Sequence, residues 1–324
     1  MKKKIFPLIF TSMLSLTACG GKSYSVSDYT MTLTYKSNFK ILQLTDIHIA
    51  DKDDQDLHYA FLDLLIKDAK KEAPVDFIVV TGDLFTFASK STAKKLFNFL
   101  DSYEIPWTVV FGNHDEQTYF SVDWMTSYLN NFGSYCMFKD LQDDDVQGNC
   151  NFAINLMDGS NIHDQLIFMD SNRYSFNDYF GYDYFKQNQI NWYESLVDET
   201  TASNGGSVVN SLMFYHIPLP EINDAYNKGE IKYGEKREDC CPPDKDLGFF
   251  NSIKNKGSTK AMFFGHDHIN NFEALYEGVT FCYGIKSTNR LYHDEDMLGY
   301  QTITIKDDHS FTIQRSYHTY EEVK

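Results

Sequence analysis

Basic side chains are scarce in this chain. Lys and Arg number 29 against 46 Asp and Glu, a formal net charge of −17. A surface so acidic repels polyanions, which argues against nucleic acid polymers as the usual partner. Cysteine is scarce too. Apart from Cys19, the chain has Cys136, Cys150, Cys240, Cys241 and Cys282; an odd number excludes complete internal pairing, and the spacing forms no disulfide framework. Cys136 and Cys150 could bridge a loop, and Cys240 and Cys241 could take different partners. Internal repeats, low-complexity linkers and signs of a second domain are lacking as well. The fold must therefore rest on its core, for which 42% hydrophobic residues in a chain of 324 suffice.

No apolar run spans a bilayer comfortably. The run Ile5 to Leu16 is too short, and it follows Lys2, Lys3 and Lys4 in the manner of a signal peptide. It ends in Leu16-Thr17-Ala18-Cys19, followed by Gly20 and Gly21. That tetrad resembles the bacterial lipobox, and the resemblance implies cleavage before Cys19 and lipidation of its thiol. The chain then divides into a signal peptide (1–18), a lipidated tether (19–37) leading into an edge strand, and one domain (38–324), held outside the cytoplasm on a bacterial membrane.

Within the domain, chemistry-bearing residues recur where apolar strands stop. Phe39 to Thr45 reads as a strand delivering Asp46 and His48, two apart and so able to face one side. The acidic run Asp51 to Asp56 reads as a solvated loop, since it lacks the glycine-turned pattern of a calcium loop. A helix with Leu57, Ala60, Phe61, Leu64 and Leu65 on one face leads to the strand Asp76 to Thr81 and then Gly82-Asp83. A second helix over Ser91 to Leu100 precedes Trp107 to Val110 and the stretch Phe111-Gly112-Asn113-His114-Asp115. This alternation predicts a βαβαβ unit with its ligands at the carboxyl ends of parallel strands.

Further on, strands 152–156 and 166–170 pair around Asp158-Gly159, a helix carries Ile190, Tyr193, Leu196 and Val197, and strands 211–215 and 260–264 end in His216 and in Gly265-His266-Asp267-His268. From Phe272 onward, short strands suggest an antiparallel second half of the core. His58, His163, His309 and His318 lack a strand-end context and read as ordinary surface or loop residues.

Imidazoles and carboxylates without cysteine suit Zn, Mn or Fe better than Ca or Mg. Seven ligands exceed what one ion takes and suit two ions about 3.5–4 Å apart, the spacing used in phosphoryl hydrolysis. The ordered set Asp46-x-His48, Gly82-Asp83, Gly112-Asn113-His114-Asp115, His216 and Gly265-His266-Asp267-His268 resembles the calcineurin-like metallophosphoesterase superfamily over nearly all of residues 38 to 305. Within it, the segments Phe214 to Pro220 and Gly265 to Phe272 resemble the purple-acid-phosphatase-related branch. The resemblance implies an α/β fold, a β-sandwich of two mixed sheets flanked by helices in αββα layers. It also implies that Asp46, His48 and His268 bind one ion, that Asn113, His216 and His266 bind the other, that Asp83 bridges them, and that His114 is catalytic without being a ligand.

Two positions depart from the branch. Its purple members have glycine where His48 stands and a tyrosine ligand where Thr86 stands, so no tyrosinate-to-iron colour is expected. Protein-phosphatase members have at the Thr86 position an aspartate that supports the catalytic histidine, so His114 needs another partner, with Asp115 and Asp267 as candidates.

The expected activity is hydrolysis of phosphate monoesters of small compounds by a metal-bridging hydroxide. The alternatives are a phosphodiesterase for nucleotides or lipid head groups and a non-catalytic binding lipoprotein. Asn172, Arg173, Tyr182 and the segment 283–293 are expected to line the mouth, with Lys286 and Arg290 as candidate phosphate contacts.

Overall fold

The computed structural model describes residues 26–140, 145–175 and 181–324. The leader and the lipidation candidate Cys19 lie outside the described residues. The strands are β1 (Thr30–Thr34), β2 (Phe39–Leu44), β3 (Phe77–Thr81), β4 (Trp107–Val110), β5 (Phe152–Asp158), β6 (Asn161–Phe168), the short β7 (Tyr174–Ser175) and β8 (Gly181–Tyr182), β9 (Ser211–Phe214), β10 (Glu230–Tyr233), β11 (Thr259–Phe264), β12 (Glu273–Tyr276), β13 (Val279–Tyr283), β14 (Gly299–Ile305) and β15 (Phe311–Tyr317). The helices are α1 (Gln55–Ala69), α2 (Lys90–Asp101), α3 (Val122–Asn130), α4 (Gln187–Ser203), α5 (Ile222–Lys228) and α6 (Phe249–Lys256).

The sequence pattern accounts for these elements locally. Every residue of β2, β3 and β4 is buried, as their mainly apolar runs require of parallel strands covered on both faces, with Lys40, Gln43, Thr81 and Thr108 the polar exceptions. Asp54, from the acidic run, caps α1 by accepting the Leu57 amide at 3.2 Å, and Ser89 caps α2. The crossovers through α1 and α2 make β2, β3 and β4 parallel neighbours, the predicted βαβαβ unit.

Two mixed sheets result. One has the order β15-β14-β2-β3-β4 and the other β1-β5-β6-β9-β11-β13-β12-β10. Alternation along the second sheet divides its side chains between two cores. Phe168, Phe214 and Phe263 face the five-stranded sheet together with Leu44 and Val80. Ile167, Met213 and Met262 face the other way, onto α4 and α6 through Tyr193, Leu196, Phe249 and Ile253. Phe152, Phe168, Phe214 and Phe263 stack in a row across four strands at 4.8, 5.4 and 5.2 Å. The architecture is the expected αββα sandwich of two mixed sheets.

Three expectations change. Thr30–Thr34 is the anticipated edge strand, but it pairs with β5 and Tyr29 is buried in the second core, so the folded part begins before residue 38. The last third is antiparallel within its hairpins β12–β13 and β14–β15, as expected, but it is divided between the two sheets. β13 runs parallel to β11, and the β14–β15 hairpin crosses to the first sheet beside β2, where Gln301 donates to Gln43 at 2.6 Å inside the core. His58 is also buried, bonded to the Tyr320 hydroxyl at 2.8 Å, because α1 turns it under the carboxyl-terminal segment.

Candidate metal centre

The carboxyl ends of β2, β3, β4, β9 and β11 converge, and the loops leaving them carry all eight candidates. Asp46 and His48 share a side for a reason other than strand alternation. The strand has already ended at Leu44, and both residues take left-handed backbone angles, φ 53° and 52°. Asp83 (φ 51°) and His266 (φ 80°) do the same. Left-handed non-glycine residues cost about 1–2 kcal/mol each, and four at one place mark a site where geometry outweighs local preference. Hydrogen bonds between neighbouring loops hold them, with the His48 amide donating to Asp83 O at 2.9 Å and the Asp46 amide to Gly82 O at 3.2 Å.

Glycines allow the loops to close up. A Cβ on Gly82 (φ 86°) would sit 2.7 Å from His216 Cβ, and one on Gly112 would sit 2.7 Å from His216 Cδ2 and 2.5 Å from the Asp83 amide nitrogen.

Asp46, His48, Asp83 and His268 offer donor atoms that all lie within 4.8 Å of one another, and all four are buried. The His48 and His268 Nε2 atoms face each other at 3.0 Å, and Asp46 Oδ1 lies 3.4 Å from His268 Nε2. Asp83 Oδ2 reaches His48 Nε2 at 3.6 Å on one side and His216 Nε2 at 3.2 Å on the other. Beside this group, Asn113 Oδ1, His216 Nε2 and His266 Nε2 are buried with no hydrogen-bond partner among the described residues; the His216–Asp83 contact is close but out of line for a hydrogen bond. Buried polar atoms are rarely left bare, and three aimed from three different loops suit a cation.

The remaining atoms of these ligands are fixed. His216 Nδ1 donates to Thr81 O at 2.8 Å, His268 Nδ1 to Tyr292 O at 2.9 Å, and the Asn113 amide nitrogen to the Tyr174 hydroxyl at 2.9 Å. Thr86 Oγ1 lies 3.0 Å from His48 Nδ1, so the residue at the position of the missing tyrosine ligand supports His48 instead. Burial with the charge of Lys286 holds His48 well below the usual imidazole range, and burial with the charge of His216 pushes His266 down to about 3. Both rings are neutral and keep lone pairs for a metal. Burial would lower His216, but the Asp83 carboxylate lifts it to about 10, a place that a metal cation would take from the proton. The seven donors therefore fit two ions sharing Asp83.

His114 stands at the rim, half-buried, with its ring centroid 5.0 Å from that of His48. Its amide donates to Asp83 Oδ1 at 2.8 Å, and its Nδ1 bonds Gln117 Oε1 at 2.8 Å. Neither candidate carboxylate orients it. Asp115 accepts the Phe85 and Gly112 amides at 3.1 and 2.8 Å and ties two ligand loops together, while Asp267 accepts the Tyr283 hydroxyl at 2.5 Å. Gln117 is the residue that sequence reasoning missed; its one signal is its place three residues after His114, where it caps the short helical turn Asn113–Glu116.

The expected cationic contacts also change. Lys286 is buried behind the site, donating to Asp46 O at 2.9 Å, and burial pushes its ammonium down to about 8. Arg290 pairs with Asp53 at 2.7 Å, Arg173 with Glu116, and the Asn172 side chain bonds inward to Tyr184 O and Gln189. Two tyrosines from the expected mouth segments, Tyr182 and Tyr292, stand beside the candidate ligands. The Tyr182 ring meets His266 edge-on at 4.4 Å, and Tyr292 stacks on His268 at 4.2 Å.

The family profile of the calcineurin-like phosphoesterases matches residues 39–270, and the chain belongs to that family, which makes it a hydrolase of phosphoric esters. It is 29% identical over 304 residues to "Probable inactive purple acid phosphatase 14" of Arabidopsis thaliana, covering 83% of this chain and 75% of that one. It is 25% identical over 284 residues to "Phosphatase DCR2" of Saccharomyces cerevisiae, covering 78% of this chain and 48% of that longer one. In fold it is similar to a dimetal phosphatase from Danio rerio, with TM-score 0.58, 14% identity, and coverage of 87% of this chain and 97% of the other.

Proposed function

We propose that this chain is a two-metal phosphomonoesterase for small phosphorylated compounds, tethered outside the cytoplasm of a bacterial cell through lipidated Cys19. The observation that carries the catalytic part is the pairing of the Asp46, His48, Asp83 and His268 cluster with three buried, unpartnered donors, Asn113 Oδ1, His216 Nε2 and His266 Nε2. The Arabidopsis relative has "inactive" in its name, but a chain that had lost its chemistry has no reason to retain this set of strained and buried ligands.

Two ions of the Mn, Zn or Fe class, held by Asp46, His48 and His268 and by Asn113, His216 and His266 with Asp83 shared, would activate water and neutralise phosphoryl charge. The chain's own residues do the rest. Thr81 O and Tyr292 O fix the ring orientations of His216 and His268, and Tyr174 turns the Asn113 amide so that its oxygen faces inward. Tyr182 and Tyr292 shield the ligand rings from water. Gln117 Oε1 accepts from His114 Nδ1, so the imidazolium form of the ring would present Nε2–H to the departing alkoxide oxygen and return to the neutral Nδ1–H form on giving up that proton. The tether rests on Lys2 to Lys4, the apolar run and the Leu-Thr-Ala-Cys tetrad.

The test is turnover of p-nitrophenyl phosphate and its bis-ester by the form lacking residues 1–19, loaded with Mn, Zn or Fe. Monoester turnover that Asp83→Asn lowers more than a thousandfold is expected. A preference for the bis-ester, or no turnover with any metal, overturns the assignment. Loss of acyl labelling in Cys19→Ser tests the tether, and unchanged labelling refutes it.

A further inference from the structure

At the end of the sandwich opposite the catalytic loops, three more donors meet. His163 Nδ1 lies 2.5 Å from Asp164 Oδ2, and His309 Nδ1 lies 3.1 Å from the same oxygen. Each of the three residues offers one ligand atom, and these atoms all fall within 4.8 Å of one another. The remoteness follows from topology. His163 lies near the amino end of β6, whose parallel neighbour β9 runs toward His216. His309 lies in the β14–β15 turn beyond Ile305, which pairs with Phe39 at the start of β2.

Neighbours on a strand point to opposite faces, so His163 and Asp164 need a device to converge. The register of β6 against β5 slips here: Asp164 opposes Leu156 and Ile162 opposes Met157, which leaves His163 as the extra residue of a β-bulge. Bulges of this kind re-aim side chains. His309 reaches the cluster from a left-handed backbone, φ 65°.

The His163 ring lies between Tyr35, stacked at 3.6 Å, and His309 at 4.2 Å, and its Nε2 is buried without a hydrogen-bond partner among the described residues. A cavity of about 450 Å³ lined by His163, His309, Asp158, Asn161, Asn210 and Asp307 gives solvent a way in. Asp164 is buried, and burial lifts its carboxyl above the usual range although both imidazoles pull it down. A bulge, a left-handed turn residue, an unpartnered ring nitrogen and a buried carboxylate thus coincide at one point.

We propose that His163, Asp164 and His309 form a third metal site, separate from the catalytic pair, that takes one divalent ion of the zinc class with water from the cavity as the fourth ligand. Two imidazoles and one carboxylate are the donors that class prefers. Bonds of about 2.0–2.2 Å in a tetrahedron place donors about 3.3 Å apart, so the Asp164 carboxyl rotates away from the close His163 contact as the ion enters. The ion links β6 of one sheet to the β14–β15 turn of the other. The segment after β1 packs over it, since the Tyr35 hydroxyl also donates to Asp307 at 2.9 Å. The site is structural: it fastens the two sheets at the end where β1 finishes and β2 begins.

The test is zinc content after dialysis of the detergent-solubilised full chain, compared with His309→Asn and Asp164→Asn. Asparagine tolerates the left-handed backbone at 309, and that side chain is 47% exposed, so this variant keeps its fold. Wild type is expected to retain one zinc equivalent more than either variant and to show a zinc-dependent rise in melting temperature that both variants lose, with phosphatase turnover within twofold. The comparison is repeated with Asp83→Asn in every chain, so that failure of the catalytic pair leaves the difference of one equivalent in place. Equal zinc content in wild type and His309→Asn overturns the proposal and leaves a proton-sharing cluster.

Discussion

Replacing Gln117 by leucine removes the 2.8 Å acceptor of His114 Nδ1 and leaves the main-chain bonds of residue 117 in place, its amide to His114 O at 2.8 Å and its carbonyl to the Phe87 amide at 2.7 Å. The side chain bonds no metal-ligand candidate. A hydrogen bond to an ionising ring is worth about 1.5–3 kcal/mol. If that energy acts in the transition state, kcat falls about ten- to 150-fold, at about 1.4 kcal/mol per factor of ten. The loss has a signature that a merely structural effect lacks. A proton from His114 matters little to p-nitrophenolate, which leaves readily, and much to an alkoxide. Gln117→Leu should therefore cost near the lower bound with p-nitrophenyl phosphate and near the upper bound with an alkyl phosphate, with metal content unchanged. Steady-state kinetics on both substrates, with metal analysis of the same samples, decides it. Unchanged kcat on the alkyl ester, or an equal loss on both esters accompanied by lost metal, refutes the role given to Gln117 and His114.

Gly82→Ala places a Cβ 2.7 Å from His216 Cβ in a backbone conformation alanine avoids; metal analysis should show the loss of one of the two catalytic equivalents, and two retained equivalents would refute the packing argument. Asp68 is partly buried, which raises its pKa, but hydrogen bonds from Lys71, Tyr300, His318 and Ser316 outweigh burial and hold it below the carboxylate range. Its contribution to stability, about 1 kcal/mol after allowance for solvent screening, is present above pH 4 and lost as pH falls below that value. Melting curves of wild type and Asp68→Asn should differ at pH 6 and converge near pH 2–3, and a constant gap across that range would refute the linkage.

The βαβαβ unit was legible because mainly apolar runs alternate with helical spacing, and the candidate ligands were legible because each interrupts such a run at its carboxyl end. Asp46, His48, Asp83, Asn113, His216, His266 and His268 each look unremarkable alone, and their order along the chain is what singled them out. The partner of His114 was not legible. A nearby carboxylate was the chemical expectation, but Asp115 is drawn inward by the Gly112 amide of its own turn and by the Phe85 amide of the neighbouring loop, and the latter is placed only by folding. Lys286 was misjudged similarly, since nothing local shows that a charged loop residue will be buried against the Asp46 carbonyl.

Periodicity and strand-end chemistry, which are local properties, determined the element types and the candidate ligands of this protein, while the layer architecture came from the family resemblance. The tertiary structure decided which sheet the last hairpin joins, which neighbour holds each candidate ligand, and that His163 and Asp164 meet His309, 145 residues beyond Asp164, at the far end of the sandwich. These depend on sheet pairing between distant segments and on a one-residue slip in register, which side-chain alternation cannot reveal before the partner strand is known.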